Sequence, residues 1–84
     1  MVTDMLTGYQ IWDNKTDKPG GYATVKHTPE GAIMDIEVVS CTIPNAYPEL
    51  WVATAHQLCS QHYLAGVIFN HEGTTVSISE VTPF

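Results

Sequence analysis

Two acidic side chains, Asp35 and Glu37, lie two residues apart in the stretch Ile33-Met34-Asp35-Ile36-Glu37-Val38-Val39. On a strand, alternate residues share one face at a separation of about 6.7 Å. Two carboxylates at that spacing can do acid–base chemistry, hold a hard cation, or imitate successive phosphates before a basic protein. They are also what the wet face of an amphipathic strand carries with no further role.

His56-x-x-Cys59-x-x-His62 is the second group with chemical potential. On a helix its members are about 60° apart, so two of them can share an ion. Structural zinc takes four ligands, usually as two close pairs. Here the remainder would have to come from His27, His71 or Cys41. The ligand set is incomplete, so we expect no metal and no cofactor. Cys59 and His62 then read as part of an apolar helix face, where Cys acts as a small hydrophobe.

No other pattern supports catalysis. Gly20-Gly21 follows a loop and precedes a strand, the wrong order for a phosphate cradle. Cys41 ends a strand and Cys59 is mid-helix, so neither has the neighbouring base or helix N-terminus that activates a thiolate. The chain reads as non-enzymatic.

The elements that must position these residues follow from periodicity and turn chemistry. Residues 1–20 are the least regular, with a short strand expected at 9–12. Residues 13–21 read as a polar, turn-rich loop. A hairpin follows, with strands at 22–27 and 32–42 joined by Thr28-Pro29-Glu30-Gly31. In its second strand, alternation turns Met34, Ile36 and Val38 to the core. It puts Asp35 and Glu37 outside, together with Ile33, Val39 and Cys41.

Pro48 suits the first helical position and Glu49 complements the helix dipole. The helix is expected over 48–65, stopped by Gly66, with Trp51, Ala55, Leu58, Cys59 and His62 inward. A second hairpin closes the chain: Val67-Ile68-Phe69, a turn at Asn70-His71-Glu72-Gly73, then alternation over 74–81 with Val76 and Ile78 inward. The order β-β-β-α-β-β predicts a single α+β domain over residues 1–84, with one helix on one face of an antiparallel sheet. The other face must be wet or used for binding.

Charge narrows the partner. The only cations are Lys15, Lys18 and Lys26, and there is no Arg. The net charge of -6 resides entirely in the residues after Lys26. Such a surface repels nucleic acid and attracts basic surfaces. Single-stranded binding would need a basic groove beside its aromatics, and none is present. Tyr9, Trp12, Tyr22 and Tyr47 have no evident core slot, and Tyr and Trp are enriched at protein interfaces. We therefore expect a partner-binding face of Asp35, Glu37, Tyr22, Ile33 and Val39, with the turn carboxylates Glu30 and Glu72.

The expected function is inhibition or regulation of a basic, nucleic-acid-binding protein or nucleoprotein complex. Small acidic phage-encoded inhibitors of defence systems, anti-CRISPR proteins among them, share this size and charge, an analogy of composition alone. A dimeric module for a small molecule or nucleotide is the alternative, and a small His/carboxylate enzyme the third.

Eighty-four residues bury only a thin core, so a homodimer that adds buried area is a further expectation. No apolar run reaches the roughly 20 residues that span a bilayer. The start, Met1-Val2-Thr3-Asp4-Met5-Leu6, has no basic segment followed by an apolar one, so no secretory signal is read there. Two cysteines in such a chain read as free thiols in a reducing compartment, and the expected location is cytoplasmic.

Overall fold

The computed structural model describes residues 4–82; Met1, Val2 and Thr3 of the N-terminal segment lie outside them, as does Phe84. Five strands form one antiparallel sheet in the order β3-β2-β1-β5-β4. They are β1 (Met5–Asp13), β2 (Lys18–His27), β3 (Ile33–Cys41), β4 (Gly66–His71) and β5 (Thr74–Val81). One helix, α1 (Pro48–His62), packs on one face. This is the α+β arrangement that the periodicity predicts. No helix among the described residues is long and apolar enough to cross a membrane.

The largest departure from expectation is at the N-terminus. The segment read as mostly irregular contains a nine-residue strand, and that strand lies at the centre of the sheet. Tyr9 and Ile11 on it are fully buried. Ile11 pairs with Gly21 on one side and with Ile78 on the other. Much of the loop expected over 13–21 is strand too, because β2 already begins at Lys18. Turn-forming residues conceal this: Pro19, Gly20 and Gly21 lie inside β2, where the ladder is irregular between Ile11 and Trp12. Gly20 leaves room there for Ile43, whose side chain closes that end of the core.

The core lies between the sheet and α1. It contains Tyr9, Ile11, Ala23, Val25, Ile43, Trp51, Val52, Ala55, Cys59, Val76 and Ile78. Trp51 stacks on Phe69 at 6.5 Å and meets the ring of His71 edge-on at 5.1 Å. His71 in turn bonds the Pro44 carbonyl, and Asn45 donates to the Glu72 carboxylate at 2.9 Å. The β3–α1 connection is thereby tied to the β4–β5 hairpin.

The first hairpin turn obeys its sequence. The Gly31 N–H donates to the Thr28 carbonyl at 2.9 Å, with Gly31 at φ +97°. The second turn is shorter than its sequence suggests. Asn70 and His71 remain in β4, leaving Glu72 and Gly73, both at positive φ, as a two-residue turn. That geometry suits the twist of paired strands.

Two helix expectations change. Tyr63, in the left-handed conformation, ends α1, and Gly66 instead opens β4. A side chain on Gly66 would come within 2.8 Å of the Ile78 carbonyl, so Gly66 serves strand approach and not helix termination. The buried stripe is Trp51, Val52, Ala55, His56 and Cys59, while His62 is exposed. The stripe is turned by about 50° from the expected one, half of the 100° step per residue. His56 is drawn in because the β2–β3 turn supplies it with a carbonyl.

Candidate functional site

The helix covers one face of the sheet and leaves the other open. Register fixes what that open face carries. Asp35 lies opposite Lys26, Glu37 opposite Thr24, and Ser40 opposite Tyr22. Farther across, Gln10 pairs with Tyr22 and with Ser79, and Trp12 pairs with Ser77. Asp35 and Glu37 are exposed on the edge strand. Farther along the same strands, at Tyr22 and Ser40, lies a concavity of about 280 Å³, lined by Gln10, Gly21, Tyr22, Ser40, Thr42 and Val81 among others. Among the described residues, no charged side chain lines it.

The expected face is corrected at Ile33, Cys41 and Met34. Irregularities in the β2–β3 ladder, between Tyr22 and Ala23 and between Lys26 and His27, leave Val39 and Met34 as extra residues in β3. Each extra residue resets the alternation. Ile33 and Cys41 therefore turn to the helix side and pack on the core with Ile36 and Val38, while Met34 is exposed. Val39 is exposed at its bulge.

Six of the seven expected binding residues still gather around β2, β3 and their turn, but on two sides. Asp35, Glu37 and Tyr22 belong to the open face. Glu30 and Ile33 line a separate cleft of about 260 Å³ against Gln57, Ser60 and Gln61 of α1. Glu72 is not brought to this region. It sits in the β4–β5 turn at the opposite edge of the sheet.

The cations are dispersed. Lys26 forms an ion pair with Asp4 at 3.4 Å on a largely exposed surface. Such a pair contributes little to stability. Lys15 and Lys18 lie at the β1–β2 turn, the far end of β2 from Lys26.

Sequence reasoning missed a buried polar network on the helix side. The Tyr9 hydroxyl bonds His56 Nδ1 at 2.8 Å, and His56 Nε2 bonds the Gly31 carbonyl at 3.1 Å. The Thr7 hydroxyl bonds His27 Nε2 at 2.7 Å, and His27 Nδ1 bonds the Thr28 carbonyl at 2.8 Å. A carbonyl can only accept, so the proton is assigned to Nε2 of His56 and to Nδ1 of His27. In a neutral ring the other nitrogen accepts, and the Tyr9 and Thr7 hydroxyls are placed to donate to it. All four ring nitrogens are used.

Burial holds His56 below the usual histidine range, and His27 nearby pushes the same way; the Gly31 bond and Glu80 oppose them. Burial likewise raises the Tyr9 phenol well above its ordinary range, with smaller contributions from Cys59 and Glu80. It also raises the Cys59 thiol, with Glu80 adding to the effect. Cys59 and Cys41 are unpaired thiols. His56 and Cys59 face the core while His62 faces solvent, so the His-Cys-His spacing does not converge. Among the described residues no three His, Cys, Asp or Glu side chains are grouped to hold a metal ion. The pattern Tyr9–His56 has no sequence signal beyond two polar residues on apolar faces.

No family model matches the chain, and neither a curated protein nor a solved structure matches it.

Proposed function

We propose that this protein is a non-enzymatic binding protein that engages a basic partner through the open sheet face and the β3 edge. The partner is a nucleic-acid-binding protein or nucleoprotein complex, and binding inhibits or regulates it, as a phage-type anti-defence inhibitor would. The observation that carries this reading is that Asp35, Glu37 and Tyr22 share the sheet face that the helix does not cover, with Tyr22 lining an uncharged concavity farther along it. Carboxylates steer and orient a basic surface, while an aromatic beside a hollow provides buried contact area. The acidic balance of the chain works against direct nucleic-acid binding. A cytoplasmic setting, where Cys41 and Cys59 stay reduced, belongs to the same reading.

The two buried histidines fit a non-catalytic role. His27 and His56 are buried with every ring nitrogen occupied, which leaves none for a substrate. The test is capture of the partner from host lysate at low and high salt. A basic protein retained at low salt and released at high salt supports the proposal; no specific protein at either salt overturns it.

The concavity also favours a second reading, a small-molecule module. Its lining of Gln10, Tyr22, Ser40 and Thr42 offers hydrogen bonds but no cation, so a neutral ligand fits better than a nucleotide. A thermal-shift panel separates the two, because a ligand bound only by the folded state raises the melting temperature.

A further inference from the structure

The two edges of the sheet are protected very differently. β3 carries Asp35, Glu37 and two bulges, devices that keep foreign strands from pairing. β4, Gly66-Val67-Ile68-Phe69-Asn70-His71, has no Lys, Arg, Asp or Glu, no proline, and an unbroken ladder to β5. A flat, uncharged edge strand is a template for another strand.

The hairpin determines which backbone groups of β4 point outward. His71 and Thr74 flank a two-residue turn and so form a hydrogen-bonded pair. Alternation extends the same phase to Phe69 with Val76 and Val67 with Ile78. The Glu80 N–H, which donates to the Ala65 carbonyl at 3.3 Å, keeps that phase. Gly66, Ile68 and Asn70 therefore turn their N–H and C=O groups away from β5.

We propose that β4 is a self-association edge, where two copies of this chain pair antiparallel about a two-fold axis at Ile68. Ile68 of one copy then lies opposite Ile68 of the other, and each Gly66 lies opposite an Asn70. All three outward-facing residues of each copy find outward-facing partners. Registers centred one residue away pair only two of the three within the strand.

The side chains agree with this register. On the helix side, Val67 of one copy meets Phe69 of the other. On the open face, Ile68, 68% exposed in the single chain, meets its counterpart. Tyr63 and Leu64, both exposed, lead into β4 and extend the apolar border.

A second copy is the occupant that charge favours. In a chain of net charge -6, this edge lets two copies meet with no carboxylate among the pairing residues. Glu72 falls beyond them and faces Leu64, not another Glu72. The pairing joins two sheets into one and leaves both β3 edges open. It does not depend on the role proposed for Asp35 and Glu37, which lie on the opposite edge.

The test is sedimentation velocity on the whole chain over a dilution series, for wild type, Ile68→Lys and Asp35→Lys. Wild type and Asp35→Lys are expected at twice the chain mass. Ile68→Lys places like charges face to face at the axis and is expected to weaken association at least about tenfold. Circular dichroism checks its fold, and the exposure of Ile68 predicts no change. The Ile68→Cys variant tests the register: oxidation should join two copies through position 68, where paired Cα atoms come within disulfide reach. Monomeric wild type at every concentration, equal dimerisation of wild type and Ile68→Lys, or no cross-link through position 68 would each overturn the proposal.

Discussion

His27 and His56 stand 4.5 Å apart, ring centre to ring centre, each accepting a hydroxyl proton on one nitrogen and donating the other N–H to a carbonyl. The pair ties β1 and β2 to the β2–β3 turn and to α1. Burial of His56 favours its neutral ring. A proton added to His56 Nδ1 would turn the Tyr9 hydroxyl from donor to acceptor and place a charge beside His27.

Stability should therefore fall on acidification. Folding lowers the pKa of His56 from its unfolded value of about 6.5, so the unfolded chain binds the proton more readily. The contribution of the neutral ring is complete above that pH. It is lost as pH drops from about 6.5 toward the folded pKa, at no more than about 1.4 kcal/mol per pH unit for one proton. Urea unfolding between about pH 8 and about pH 5, a window that spans the histidine range, measures it. His56→Gln should flatten that dependence; an unchanged slope in His56→Gln would assign the acid sensitivity elsewhere.

Tyr9→Phe keeps the ring but removes the proton given to His56. His56 Nδ1 is then buried without a donor, which costs about 1–3 kcal/mol. The measurement is the urea midpoint at neutral pH. A loss below a few tenths of a kcal/mol would mean that His56 finds another donor without cost.

Ile11→Ala tests the position of β1. In the centre of the sheet, between Gly21 and Ile78, truncation of a fully buried Ile costs about 2–5 kcal/mol. That is a large share of the ~5–15 kcal/mol total typical of a domain. An irregular N-terminal segment would tolerate the change almost freely, and equilibrium unfolding tells the two apart.

What the sequence made legible was set by local signals. The turn at Thr28-Pro29-Glu30-Gly31, the start of α1 at Pro48 and the inward Val76 and Ile78 follow from rules that act within a few residues. The long-range decisions were not legible. Pro19, Gly20 and Gly21 announce a loop, yet they lie in β2 because pairing with β1 and packing of Ile43 on Gly20 outweigh local preference. The bulges at Met34 and Val39 shift alternation without any residue type that marks them. Asp35 and Glu37 do face away from the core as alternation predicts, since the stretch from 35 to 38 lies between the bulges. Ile33 and Cys41, outside that stretch, turn to the face opposite the one simple alternation predicts. The inward turn of His56 depends on the Gly31 carbonyl, 25 residues away in sequence.

The most direct test of the binding proposal is the Asp35→Lys/Glu37→Lys double variant, compared with wild type for partner capture and affinity at two salt concentrations. Both side chains are exposed, so the fold should survive, as circular dichroism would verify. Loss of affinity of about tenfold or more, with a weaker dependence on salt, is the expected result. Unchanged affinity and salt dependence in the double variant would contradict the account and remove the β3 face from the interaction.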